Sequence, residues 1–554
     1  MTCEDILILI PCHSLEDFPT ELPEEDSASL LQGYSLAWHP LLIGKSGVVP
    51  RWHRADMPPE QVKGKWLLLP KPSRDLLPCG WQDQVREDGG TPFETDGTRE
   101  ELCRRLTESF GEGAGDLDPE LVADFLALGT CHLLMELLAR KMRHSYLLDE
   151  GHLQREAVAA ALAVLANDAE TARARLRNCF DVLAESRERF YPTDCYLIDL
   201  CLLIPELADQ HLVTALRQLK PFNVLLPGED LQTIAATKPE MIRELKEAWE
   251  RNTISMIGGE YRETPNNLLP PNAWYWQLEQ GRKTYQQHLG KMPLVWGRRR
   301  FGLMPAAPQV LKHFGYIGAL HLALDDGLYP DEEFSKIRWQ GTGGTSIDAI
   351  TRIPLAGDTA TSFLRFASRM GESMDHDQVA AVLFARWPEV KSPWMEDLRR
   401  MQTYAPALGR WVTLEEFFQY TDTAGRLSNF DAGAYLAPTL LQAVAREEQD
   451  PVSRHLSRGE IERKWEAAER FDALNQILRR KEVTAPETNP LAEKINLLKG
   501  TDAPDVLLQD VEQSLLTKAN SLASCILRQD KPGEGLLILN RSAFPGESPF
   551  PWTN

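Results

Sequence analysis

Residues 293–327 read PLVWGRRRFGLMPAAPQVLKHFGYIGALHLALDDG, and this stretch decides the fold class. Residues 293–296 (PLVW) form a short apolar run that Gly297 ends. Residues 308–313 have the spacing of a helical turn or two and stop before Gly315. Residues 316–324 are a second apolar run, closed by Asp325-Asp326-Gly327. A strand, a short helix and a second strand are the makings of a parallel β-α-β unit. Such units present polar residues just beyond the carboxyl ends of their strands, where α/β folds hold ligands. Here those positions carry Arg298, Arg299 and Arg300 after the first strand, and Asp325 and Asp326 after the second.

The same alternation extends outward over residues 191–360. Apolar runs at 195–203, 222–226, 253–257 and 347–353 read as further strands. Helical patterns such as PEMIRELKEAWERN and AWYWQLEQGRKTYQQHLG separate several of them. Strands separated by helices imply parallel pairing through right-handed crossovers. The expected fold is therefore α/β, with a β/α barrel-like, mostly parallel core over 191–430. The apolar strand at 5–11, which leads into His13, is expected to join that sheet and bring His13 to the same mouth. The remainder of 1–97 is rich in Pro, Gly and Trp and predicts irregular structure with short strands such as 66–69. Residues 98–190 predict about four helices, 431–530 a helical bundle, and GLLILN at 535–540 a strand opening a β domain over 531–554. Both helical segments show amphipathic spacing without a cluster of ligand-type residues, so they are expected to support the core.

At 554 residues the chain is long enough for several domains, and 43% hydrophobic residues suffice for sizeable cores. A net charge of −21 argues against a nucleic-acid binder or an anionic membrane surface as partner, since both need a basic face. It leaves uncharged substrates such as sugars open. Nine cysteines, an odd number with no CxxC pair, point to reduced thiols and a cytoplasmic setting. The apolar run at 6–10 is only five residues long, follows Glu4 and Asp5, and ends at Pro11, so it does not read as a secretory signal. No run approaches a transmembrane length.

Several motifs resemble the N-terminal catalytic domain of glycoside hydrolase family 38, the α-mannosidases. ISMIGGEYRETPNN is similar to that family's strand ending in Gly-Gly with acidic residues after it. PLVWGRRRFGLMPAAPQVLKHFGY is similar to its strand Trp-x-x-Asp-Pro-Phe-Gly and the following helix. IRWQGTGGTSIDAI resembles a later strand, IPCHSLEDF its first strand with His-Ser-His-Asn-Asp, and ILNRSAF the opening of its C-terminal β-sandwich. The resemblance spans roughly 220–360, with weaker support on both sides. It implies a seven-stranded β/α barrel followed by a helical bundle and β-sandwiches, a retaining mechanism and a zinc ion. Two positions depart. The family's nucleophilic, zinc-binding Asp falls on Arg299, and a zinc-binding His falls on Leu15, while Asp17 keeps its Asp. Arginine cannot attack an anomeric carbon and offers no lone pair to a metal. Two expectations follow. One is a glycoside hydrolase-like protein that acts on or binds carbohydrate. The other is a catalytically silent α-mannosidase-like domain serving as a carbohydrate- or protein-binding module.

The candidate catalytic residues are Glu260 and Glu263, three apart after a Gly-Gly strand end, with Asp325 and Asp326. Glycoside hydrolysis needs a proton donor and a carboxylate about 5–9.5 Å apart. Arg299 and Trp339 are candidates for substrate binding: the guanidinium as an anion clamp, the indole as a stacking face. His13 and Asp17 are the candidate metal pair. If the glutamates point into one pocket beside Arg299, chemistry is expected. If all of them are paired with arginines, the silent reading is expected instead.

Overall fold

The structure is a computed structural model that describes residues 3–111, 117–143, 148–218, 220–322, 324, 330, 332–389, 392–435, 438–479, 490–498 and 504–526. Four strands precede the long helical segment: β1 (Asp5–Ile10), β2 (Arg51–Arg54), β3 (Lys65–Leu69) and β4 (Thr91–Glu94). Eleven follow it: β5 (Cys195–Leu202), β6 (Phe222–Leu225), β7 (Ile254–Ile257), β8 (Val295–Trp296), β9 (Gly318–Leu320), β10 (Ile337–Gln340), β11 (Ser346–Ile350), β12 (Leu355–Ala356), β13 (Ala380–Arg386), β14 (Arg410–Trp411) and β15 (Leu427–Asn429). They form two separate sheets. The small one has the order β2-β1-β3-β4, and the large one runs β12-β13-β5-β6-β7-β8-β9-β11-β10-β15, with β14 also on β5. Every pair is parallel except β10 with β11.

The parallel part of the large sheet curls. Ile198, Leu200, Leu225, Ile257, Val295, Leu320, Ile350, Ala381 and Leu383 gather in one apolar cluster with Phe417 and Phe418. These residues include some from β13 and β11, which lie near opposite ends of the row. Their meeting makes the sheet barrel-like, since alternate side chains point inward along each strand. The opposite faces pack on helices. Leu212, Leu231, Leu245, Trp249 and Tyr285 cover one side of β6 and β7, while Leu197, Val382 and Phe384 join a larger core with helices Glu24–Ala37, Pro119–Lys141 and Ala360–His376.

Three expectations need correction. Strand β1 pairs with β2 and β3, not with the barrel-like sheet, so His13 does not share its mouth. Residues 19–97 are not irregular: they supply three strands and helices, the first of them Glu24–Ala37. Ten of that helix's fourteen residues are buried, Ser27, Ser29 and Gln32 among them, so it lacks the polar face that periodicity detects. Helix Pro119–Lys141 is long and apolar enough to cross a membrane, yet 78% of its most apolar window is buried inside the protein. The four helices expected over 98–190 are present, as Arg99–Phe110, Pro119–Lys141, Glu150–Leu165 and Ala169–Phe190. The β domain expected over 531–554 lies outside the described residues.

Candidate functional site

β7 ends at Gly258 and Gly259, whose φ values of 138° and 115° turn the chain out of the sheet. A Cβ on Gly259 would overlap the Tyr316 hydroxyl, so only glycine allows this close approach. The turn drives Glu260 inward. Its carboxylate accepts hydrogen bonds from Trp274 Nε1 (3.0 Å), Trp296 Nε1 (3.2 Å) and Arg298 Nη2 (3.3 Å). Arg298 also donates to the Thr264 and Gly302 carbonyls and is itself buried. Burial pushes the Glu260 carboxyl above its usual range, with Arg298 and the indoles pulling the other way. Glu263, also buried, accepts the Arg299 backbone N–H at 2.8 Å, and the Arg299 and Arg300 Nε atoms stand 3.6 Å from it.

Arg298, Arg299 and Arg300 follow β8 and are held by a turn in which Phe301 (φ 70°) and Gly302 (φ 64°) are left-handed. A phenylalanine there costs on the order of 1 kcal/mol, which surrounding contacts must offset. Arg299 spans the mouth of the sheet. It donates to the Leu203 carbonyl (3.0 Å), which follows β5, and to Asp230 (2.9 Å), which follows β6. Burial raises the Asp230 carboxyl's pKa, and Arg299 opposes the shift. Next to Asp230, Glu229 is bound in two contacts by Arg262.

A cavity of about 550 Å³ opens here, lined by Leu202, Ile204, Pro205, Glu206, Glu229, Asp230, Thr233, Arg299, Arg300, Leu324 and Trp387. These residues come from the carboxyl ends of β5, β6, β8, β9 and β13, the expected position for a ligand site in a parallel sheet. The lining mixes apolar residues, among them the partly exposed Trp387, with charged ones.

Of the residues singled out in the sequence, Arg299 lines this cavity, and Glu260 and Glu263 sit behind it. Asp325 and Asp326 lie outside the described residues; their described neighbour Leu324 lines the cavity. Trp339 is wholly buried, donates to the Tyr435 hydroxyl at 2.8 Å and packs on Trp296 and His321, so it presents no face to a sugar. His13 stands on the small sheet with Nε2 3.7 Å from Asp56, which Arg54 holds, and Asp17 closes the short helical turn after β1. Among the described residues no group of three or more His, Cys, Asp and Glu is placed to hold a metal ion. The zinc that the resemblance implies does not fit these residues: an arginine offers no lone pair, and the candidate pair His13 and Asp17 belongs to the other sheet. Sequence reasoning missed Glu206, Asp230 and Trp387. Asp230 and Trp387 had a usable signal, a polar or aromatic residue just past an apolar run, in FNVLLPGED and AAVLFARW.

No protein-family model matches the chain, and no curated protein matches it. Solved structures with a likeness to it include a 4-alpha-glucanotransferase from Thermococcus litoralis, with 13% identity, a TM-score of 0.37, and 58% of this chain and 57% of that one covered. An alpha-mannosidase from Enterococcus faecalis matches at 12% identity and a TM-score of 0.35, over 61% of this chain and 43% of that one. A GH57 branching enzyme from Thermococcus kodakaraensis matches at 11% identity and a TM-score of 0.32, over 95% and 90%. The chain thus spans about half the length of the first two. All three scores lie below 0.5, so the likeness assigns neither a family nor an activity to this chain.

Proposed function

We propose that this protein binds carbohydrate in the cavity at the carboxyl ends of the parallel strands and does not hydrolyse it. One observation carries the reading. Arg299, which the resemblance aligns with a nucleophile, is instead paired with Asp230 and Glu263. Glycoside hydrolysis needs one proton donor and one carboxylate, both facing the sugar. Glu260 is enclosed by Trp274, Trp296 and Arg298, and Glu263 is buried behind the arginines. What faces the cavity suits recognition: an indole face for the C–H side of a pyranose, and carboxylates and guanidinium groups for its hydroxyls.

Hydrolysis is the second reading, and Asp230 favours it. This acid lines the cavity, and burial raises its pKa toward that of a proton donor. Two measurements on the same preparation separate the readings. Titration calorimetry with mono- and disaccharides should show binding, and a panel of aryl α- and β-glycosides should show no release of the aryl group. Turnover lost in Asp230→Asn would replace the binding reading with the hydrolytic one. Absence of both binding and turnover would remove carbohydrate from consideration.

A further inference from the structure

Arg300 differs from its neighbours in what it has left to offer. Arg299 is spent on Leu203, Asp230 and Glu263, and Arg298 on Glu260, Thr264 and Gly302. The Arg300 side chain is 60% exposed and lines the cavity; its Nε stands 3.6 Å from Glu263, and its charge also acts on Asp230. Its two terminal nitrogens make no hydrogen bond to any described residue. The guanidinium lies over the Phe301 ring, 5.4 Å from the centroid, at a turn fixed by two left-handed residues. The Phe301 ring and Glu263 are the described contacts that position the fork.

Among the described residues, three acids around it are paired: Glu229 with Arg262, Asp230 with Arg299, and Glu263 shared between Arg299 and Arg300. Glu206 is exposed at the rim, where solvent and salt screen it. The cavity is also lined by Leu202, Ile204, Pro205, Leu324 and Trp387. A guanidinium with an open edge takes a planar carboxylate through two parallel hydrogen bonds. A doubly charged phosphate would meet more repulsion from the three nearby acids than a single carboxylate does.

We infer that the cavity is built for a pyranose bearing a carboxylate, a hexuronic acid, with Arg300 holding the carboxylate and Trp387 carrying the ring. This rests on the carbohydrate-binding reading and names its ligand class.

Titration calorimetry on the full chain with methyl glucuronoside, its neutral methyl ester and methyl glucoside tests it. The free acid should bind at least about tenfold more tightly than the ester or the glucoside, the value of one charge-assisted hydrogen-bond pair. Arg300→Gln should abolish that preference, weakening the free acid at least about tenfold more than it weakens the ester or the glucoside. The Arg300 side chain is exposed, so circular dichroism should show the variant folded. Equal affinity of wild type for acid and ester overturns the inference while the carbohydrate reading stands. If none of the three sugars binds, both fall. A preference for the acid that survives Arg300→Gln removes Arg300 from its role and overturns the assignment.

Discussion

At the scale of single residues, two tryptophans separate surface from core. Trp339 looks accessible in sequence because glycines follow it, yet it is wholly buried against Trp296, His321 and Tyr435. Trp339→Ala should destabilise the fold by roughly 3–5 kcal/mol in urea titrations. Trp387→Ala should cost little stability and weaken sugar affinity by roughly tenfold, about 1.4 kcal/mol. The reverse pattern would exchange their roles. A half-buried pair outside the site makes a pH prediction. Glu136 and His132, 3.8 Å apart on helix Pro119–Lys141, are both largely but not fully buried. Burial raises the Glu136 carboxyl to about 7 and lowers the His132 imidazole to about 4. A raised acid binds its proton more tightly in the folded state, so its contribution to stability is lost as pH rises through about 4.5 to 7. A lowered base does the opposite, and its contribution is lost as pH falls from about 6.5 to 4. The two slopes oppose each other over the shared window. Glu136→Gln removes one of them, so the variant should gain stability relative to wild type as pH rises from 5 to 7. Parallel pH profiles for the two proteins would show that Glu136 does not titrate there.

At the scale of elements, glycines decide how the β7 loop reaches Glu260. Gly281, inside helix Pro271–Leu289, faces that loop, and a Cβ on it would run into the Gly259 carbonyl and stand 2.5 Å from Tyr261 N. Alanine there gains up to about 1 kcal/mol of helix propensity, but rigid backbone contact outweighs it. Gly281→Ala should therefore lower the melting temperature by several degrees; a rise would mean that the helix can move away. The C-terminal helices also touch this loop, since Arg262 donates to the Leu497 carbonyl and Gln277 to that of Asn496. The segment expected only to support the core thus helps to position the turn beside the cavity.

At the scale of the whole molecule, the small parallel sheet stands apart from the large one, with helix Pro119–Lys141 in the apolar core they share. His13 and Asp17 lie at the carboxyl end of β1 in the small sheet, and none of its residues lines the cavity. His13→Ala and Asp17→Ala should change sugar affinity by less than about twofold, and dialysis against EDTA should leave it unchanged. A tenfold loss in either experiment would bring the small sheet or a bound metal into the site.

What the sequence determined by itself was local. Strand–helix alternation over 191–360 and the Gly-Gly and Trp-Gly strand ends place Glu260, Glu263 and Arg299 beyond β7 and β8, because apolar runs ended by glycine define strand ends without help from the rest of the chain. Partners were a matter of tertiary structure. Whether β1 joins one sheet or another depends on the edge against which its apolar faces can be buried, and both sheets offer parallel edges. Whether Glu260 meets solvent or two indoles depends on helix Pro271–Leu289 and β8, which bring Trp274 and Trp296 to it from 14 and 36 residues away. Asp230 and Trp387 became neighbours of Arg299 only when the parallel sheet curled, because curling turns the ends of separate strands into the wall of one cavity.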